Sequence, residues 1–425
     1  MSQAAEKQPF GECCKVVNFS DLHYACSILV SQEKSAEKYQ KERFYTSKEK
    51  AECYNEAKDS KKKVLFGKGG DLMTSRERVR AAIMHQNPDR VPAAFEAVDT
   101  VNKKLMKHYG FTDYDQLLEK IQIDVVPVGP KYIGPELPVW QNEKGETVSR
   151  SFWGFETTQH VTDIDTYGVT TYFPLNGVTS IEDVKKYTFP DPDWFDYASL
   201  KEQCAKYPDK ALIMGHEGPF QIVTFLIEMD QLFMLMIDEP DTAKYILDKM
   251  VEFELEYYRR CFEAVPGRID ILRPHDDYGT QISLLFSIDM WRDFFKENTE
   301  KLVRLAHSHG AFYQQHSCGA VAPLIPEFIA CGVDVLEPVQ KVKGLEVETL
   351  QEKFGGKITF HGGIDTQGIL PYGTPEEVER ETRLFIDTLG EGGGYILMAS
   401  QAFEGDVPIA NIEAVYSVDR HVHLK

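Results

Sequence analysis

The sequence predicts an α/β protein built as a (β/α)8 barrel, and three observations predict it. From residue 88 onward, short apolar runs alternate with longer helical patterns, and eight such runs can be counted: 91–95, 123–128, 211–215, 269–273, 311–315, 333–336, 357–360 and 394–398. The runs are apolar throughout rather than alternating, as parallel strands covered on both faces are. The stretches between them, 241–263 and 375–389 for example, have the length that a crossover between parallel strands requires. Eight strand–helix units in one chain point to a closed barrel. An open doubly wound sheet is the alternative, but no Gly-x-Gly-x-x-Gly turn supports it.

Composition narrows the function classes. The chain has 425 residues, 42% hydrophobic and 27% charged, the balance of a globular protein. Its formal charge of −20 argues against a nucleic-acid surface. No apolar run is long enough to span a bilayer. Residues 20–30, broken by Asp21 and His23, make no secretory signal core. The eight cysteines follow no disulfide-framework spacing, so a reduced, cytoplasmic protein is expected.

Taken in order, residues 1–72 read as a charged appendage, partly helical or disordered. They hold 13 Lys+Arg against 11 Asp+Glu, a net of +2, which leaves −22 for the barrel portion, 73–425. Their Lys-, Glu- and Ser-rich stretches bury little. Thr74-Ser75-Arg76-Glu77 then starts a helix, with a hydroxyl cap and an early acidic residue. Residues 129–210 interrupt the rhythm after the second run. Within them, 146–160 alternates and carries Phe152, Trp153, Phe155 and Thr157, which predicts a β-hairpin; Tyr172 and Phe173 follow in 170–174. Such an aromatic insertion on the C-terminal side of a barrel strand either roofs the site or staples the rim.

Residues just after the strands face the site in a barrel of this kind. They are Glu96, Lys131, His216 with Glu217, His275 with Asp276 and Asp277, His316 with Cys318, Glu337 with Gln340, His361 with Asp365, and Ser400 with Gln401 and Glu404. His316-x-Cys318 places two metal-type ligands at one strand end. A catalytic zinc ion takes three protein ligands and leaves a fourth position open. The third ligand is left among Glu217, Asp277, Glu337 and His361. Alternatively Cys318 is a small buried residue before a glycine turn. Of the adjacent Asp276 and Asp277, one would face the pocket and the other cap the following helix. Gly215-His216-Glu217-Gly218 is a turn that brings a carboxylate close to a ligand.

Several of these clusters, in this order, resemble the uroporphyrinogen decarboxylase superfamily over roughly residues 73–418. The matching pieces are Ser75-Arg76-Glu77-Arg78, Pro88-Asp89-Arg90-Val91-Pro92, Gly218-Pro219-Phe220, Asp276-Asp277-Tyr278-Gly279, His316-Ser317-Cys318-Gly319, His361-Gly362-Gly363-Ile364-Asp365 and Gly392-Gly393-Gly394-Tyr395-Ile396-Leu397. The fold the resemblance implies is the barrel already reached. True decarboxylases of the superfamily grip substrate carboxylates with arginines near the first strand, and residues 91–110 contain none. The other branch, corrinoid-dependent methyltransferases including O-demethylases, uses zinc held by a His-x-Cys pair and a later Cys. His316 and Cys318 match the pair, while Gln401 stands about where the later Cys would fall.

The resemblance therefore implies a methyltransferase that moves a methyl group from a small, possibly methoxylated aromatic, donor to a corrinoid, or from a corrinoid to a thiol, with zinc activation. Zinc on His316 and Cys318, completed by Glu217 or Asp277, would bind the leaving heteroatom, and His275 or His361 would supply a proton. Trp153, Phe155, Tyr172, Phe220 and Gln401 would contact the donor. A corrinoid (cobalamin-type) protein is the expected partner, with a second copy of the chain as a homodimer. The alternatives are tetrapyrrole decarboxylation and a non-catalytic tetrapyrrole-binding barrel.

Overall fold

The computed structural model describes residues 73–162 and 165–422; the expected appendage, 1–72, lies outside the described residues. Seven of the eight apolar runs form one parallel sheet: β1 (Val125–Pro127), β2 (Ala211–Met214), β3 (Ile271–Leu272), β4 (Phe312–His316), β5 (Val335–Glu337), β6 (Thr359–His361) and β7 (Tyr395–Ile396). They are neighbours in that order, and every pairing is parallel. The remaining run, 91–95, forms isolated bridges instead of a ladder. Ala94 N donates to Leu397 O, Leu397 N to Pro92 O, and Asp124 N to Ala93 O. Pro92 has no N–H to contribute, which keeps these contacts from extending into a strand. The sheet is thus curled, with its two edges joined through this segment.

Two cores follow from the side-chain alternation of the strands. Val125, Ile213, Ile271, Phe312, Val335 and Ile396 fill the interior of the curl. Val79 and Ile83 of helix α1 (Ser75–Ile83) join that cluster and plug its lower end. A capping box between Thr74 and Glu77 starts α1, as its sequence predicts. The opposite strand faces, such as Leu212, Leu272, Tyr313, Leu336 and Phe360, pack under the surrounding helices. These include α2 (Pro219–Leu226), α3 (Pro240–Ala264) and α4 (Pro375–Leu389).

Arginines fasten the plugged end. Asp124 is fully buried and accepts from Arg78 Nη1 at 2.7 Å, Arg90 Nη1 at 2.9 Å and Ala93 N at 2.9 Å. The equally buried Asp270 accepts from Arg76 Nε at 2.9 Å and Arg80 Nη1 at 3.0 Å. These charges are paired and hydrogen-bonded, the condition under which buried ions persist.

Between β1 and β2 the chain forms a four-stranded antiparallel sheet of Val139–Gln141, Thr147–Arg150, Glu156–Val161 and Thr166–Tyr172, neighbours in that order. The expected hairpin is its central pair. Its aromatic residues staple it to the helices: Trp153 lies 4.9 Å from Phe253 on α3, and Phe155 lies 5.1 Å from Phe225 on α2, between ring centroids. Among the described residues, no single helix is long and apolar enough to cross a membrane.

Candidate functional site

Strand alternation decides which side chains line the upper end of the curl. Ile271, Phe312 and Val335 point inward. The residues two and four positions on, Arg273, Gln314, Glu337, His275 and His316, continue inward in higher layers. Register then gathers four of the polar residues in one row. Glu217 bridges His275, His275 bridges His316, and His316 pairs with Glu337. The row is a single rung of the sheet.

Three potential ligands converge beside it. His316 Nε2 lies 3.4 Å from Cys318 Sγ and 3.6 Å from Asp277 Oδ1. The ligand atoms of Asp277, His316 and Cys318 all lie within 4.8 Å of one another. One imidazole nitrogen, one sulfur and one carboxylate oxygen fit a zinc-type ion that keeps a fourth position open. Of the four expected third-ligand candidates, Asp277 is the one that joins the pair. Glu337 Oε2 instead approaches the other ring nitrogen, His316 Nδ1, at 3.5 Å. His361 Nδ1 contacts Gln314 Oε1 at 3.2 Å, and Glu217 bonds through its carbonyl to His216 Nδ1 at 2.7 Å.

The turn that carries Cys318 is held from several sides. Cys318 N donates to Asp277 Oδ1 at 2.8 Å, Gly319 N to Gln340 Oε1 at 2.6 Å, and Tyr278 N to Ser317 Oγ at 2.9 Å. Gly319 has a left-handed φ of 86° and crosses Gly279 so closely that a side chain at residue 319 would collide with the Gly279 backbone. Gln401 Nε2 donates to Cys318 Sγ at 2.6 Å. The amide thus occupies the side of the sulfur where a second thiolate was expected.

Asp276 and Asp277 divide their work as predicted, with one correction. Asp277 faces the ligands, while Asp276 caps a helix from the preceding unit rather than the following one. Its Oδ1 accepts from Gln221 N on α2 at 2.9 Å, and its Oδ2 accepts from Tyr278 Oη at 2.9 Å. A Cβ at Gly218 would lie 2.5 Å from this carboxyl, so glycine is required there.

Burial sets most of the electrostatics. It pushes the Glu217 carboxyl up to about 7, and Asp276 likewise to about 7. Burial holds His216 and His361 down to about 4 and, with Arg273 nearby, His275 well below its usual value. Burial also opposes ionisation of Glu337, yet the Arg273 charge and His316 hold it well below the carboxylate range. His316 is raised by Glu337 and Asp277 in spite of its burial. Burial and then Asp277 push the free Cys318 thiol well up; a bound cation would deprotonate it outright.

These environments revise several expectations. His275 and His361 were expected to donate a proton, but their desolvated surroundings hold both below the usual imidazole range and so favour the neutral form. Glu217, by contrast, is shifted toward its protonated form. Trp153, Phe155 and Phe220 were expected against the donor, but all three are core residues. Phe220 stacks on Tyr278 at 5.7 Å between ring centroids, and Tyr172 is exposed on the antiparallel sheet. The aromatic insertion is a staple here, because its rings found helices to pack on. Two residues escaped sequence reasoning. Arg273 closes an apolar run, yet lies inside the site and bonds Glu96 Oε1 at 2.5 Å and Glu337 Oε1 at 3.1 Å. Its inward position two residues after Ile271 was the available signal. Glu254, in mid-α3, is fully buried with neither carboxyl oxygen hydrogen-bonded; its helix position gave no hint of this.

Comparison with known proteins agrees with this architecture. The chain is 24% identical over 208 residues to a methylcobamide:CoM methyltransferase of Methanosarcina barkeri, a match covering 49% of this chain and 57% of that protein. It is 21% identical over 276 residues to the uroporphyrinogen decarboxylase of Sodalis glossinidius, covering 57% of this chain and 70% of the relative. The first match thus spans little more than half of the methyltransferase. A solved methyltransferase from Methanosarcina mazei shares the fold, with a TM-score of 0.57 and 18% identity over 81% of this chain and 98% of the other. The uroporphyrinogen decarboxylase (URO-D) family model matches residues 168–421. That stretch exceeds half of the chain and holds the His316–Cys318 turn, Asp277 and Glu217, so the chain belongs to the uroporphyrinogen decarboxylase family.

Proposed function

We propose that this protein is a zinc-dependent methyltransferase that passes a methyl group between a small methylated molecule and a corrinoid held by a partner protein. The catalytic unit in this reading is a (β/α)8-type barrel formed by residues 73–425, with 91–97 closing the curled sheet through isolated bridges in place of an eighth strand. The observation that carries the reading is the convergence of Asp277, His316 and Cys318 within 4.8 Å at the upper end of the sheet. A zinc ion bound there supplies a Lewis acid for the heteroatom that carries or receives the methyl group.

The chain's own residues prepare that chemistry. The Glu337 charge faces His316 Nδ1 at 3.5 Å and favours the proton on that nitrogen, which leaves the Nε2 lone pair for the metal. Arg273 in turn fixes Glu337 through both carboxylate oxygens, at 3.1 and 3.2 Å. The Gln401 amide donates to the Cys318 sulfur and draws off part of its charge. An oxygen donor in place of a second thiolate makes the ion harder, which suits an ether or alcohol oxygen. Glu217, protonated up to about pH 7, donates the proton that the departing heteroatom needs.

The test joins metal analysis to methyl transfer. The purified protein is expected to hold about one zinc per chain and to methylate free cob(I)alamin from at least one member of a panel of methyl ethers, methylamines and methyl thioethers. Absence of zinc, or full activity in Cys318→Ala, would sink the metal role. Conversion of uroporphyrinogen to coproporphyrinogen would replace this reading with decarboxylation, and tight tetrapyrrole binding without turnover would replace it with a carrier role.

A further inference from the structure

Arg273 presents an unmet demand inside the site. Its side chain is only 11% exposed, and its Nε is buried without a hydrogen-bond partner. A guanidinium offers its N–H groups as a rigid fork that matches a carboxylate, and a buried donor left unmatched is unfavourable. The Arg273 Nη1 is occupied twice, by Glu337 and by Glu96. These two partners differ in how firmly they are held. Glu337 is 2% exposed and is tied on its other side by Gln314 Nε2 at 2.5 Å. The Glu96 side chain is 37% exposed, and it stands at the rim on a backbone fixed by Phe403 N at 2.9 Å. One carboxylate is built in and the other can swing out to water.

We propose that Arg273 is the seat for a single carboxylate of the substrate, and that Glu96 occupies this seat until substrate displaces it. The exchange leaves the local charge unchanged, since one carboxylate replaces another on the same guanidinium. It also adds the bond to Nε that Glu96 does not make. The seat takes one anionic group only. Of the three buried arginines among the described residues, Arg78 and Arg420 lie at Asp124 on the opposite end of the sheet. The position suits a methyl donor: the Glu337 that touches Arg273 also touches His316, so a carboxylate on Arg273 directs the rest of the molecule toward Cys318. The substrate class is thus a small monocarboxylate bearing a methylated heteroatom. This inference rests on the proposed methyl transfer for the word donor, but the carboxylate seat itself is tested without turnover.

The experiment is a calorimetric titration of the whole purified protein with two frames, methoxyacetate and 3-methoxybenzoate. Each is paired with its neutral amide, and the second also with the cationic 3-methoxybenzylamine. At least one carboxylate is expected to bind about 10–100-fold more tightly than its amide, the range for a hydrogen-bonded charged group. Arg273→Met is expected to abolish that preference. Glu96→Gln, a rim change that should not disturb folding, is expected to tighten carboxylate binding several-fold by removing the competitor. Equal binding of acid and amide, no binding of either carboxylate, tighter binding of the amine, or weaker carboxylate binding in Glu96→Gln would each overturn the proposal. A preserved carboxylate preference in a protein that transfers no methyl group would reject the methyltransferase reading alone; methyl transfer from neutral donors without that preference would reject the seat alone.

Discussion

Asn in place of Asp124 is the perturbation whose magnitude the structure defines best. The wild-type carboxylate is fully buried and receives Arg78 at 2.7 Å, both Arg90 Nη groups at 2.9 and 3.0 Å, and the Ala93 amide at 2.9 Å, with Arg420 Nη1 at 3.7 Å. Asp124→Asn keeps the shape, deletes the negative charge that three guanidiniums share, and turns an NH2 toward at least one of them. Removing one partner from a buried ion pair costs about 3–5 kcal/mol. Arg78 retains Asp89, at 2.5 and 2.7 Å, which places the expected loss near the lower end, about 3 kcal/mol. With a urea m-value of about 3 kcal/mol/M, the midpoint should fall by about 1 M. The assay is urea unfolding followed by far-ultraviolet circular dichroism and tryptophan fluorescence, whose coincidence checks two-state behaviour. Asp115→Asn, which removes a partly exposed pair with Lys206, is the control and should cost under about 1 kcal/mol. A midpoint for Asp124→Asn no lower than that of the control would refute the clamp as a source of stability.

Other outcomes follow from the site. Glu337→Gln should weaken zinc binding about 10–100-fold, measured by competition with a chromophoric chelator, because His316 loses the group that orients it. Gly319→Ala should destabilise by about 1–3 kcal/mol through its left-handed backbone alone, and should also deplete zinc measured by elemental analysis. Burial, followed by Asp276 and Glu217, raises the Glu254 carboxyl well above its usual value. As pH rises past that usual value the unfolded chain releases this proton while the folded chain keeps it, so wild-type stability falls by up to about 1.4 kcal/mol per pH unit for this group. Glu254→Gln should therefore gain on wild type as pH goes from 5 to 8 in urea midpoints; a constant difference would show that Glu254 is ionised in the fold.

Much of the fold was legible because parallel strands announce themselves as short apolar runs: each of the seven strands of the sheet overlaps a run read from the sequence, and β4, β5 and β6 extend one residue further, into His316, Glu337 and His361. The run at 91–95 fell short of a strand for a reason visible in it, the missing N–H of Pro92. The His316–Cys318 pair was legible because its members are two residues apart. Its third member was not, since Asp277 approaches Cys318 only across a strand boundary, and Glu217 and His361 had equal claims from sequence position. Trp153 and Phe155 misled because an aromatic side chain carries no mark of which apolar surface it will cover. Arg273 was hidden by position, as the last residue of an apolar run reads equally as a strand end exposed to water.

The single rung that links Glu217, His275, His316 and Glu337 has a consequence for how this protein can change. Separations along a rung are inherited from backbone ladders spaced about 4.8 Å apart; the strands set the His316–Glu337 pair, and bridges just past β3 and β2 carry the row on to His275 and Glu217. Under the proposed carboxylate exchange, selection of the incoming molecule would fall to Glu96, which stands at the rim and can vary without disturbing that ladder. The rung is therefore a fixed platform beneath an exchangeable rim, and replacing Glu96 should alter which molecules are admitted before it alters the arrangement of the row itself.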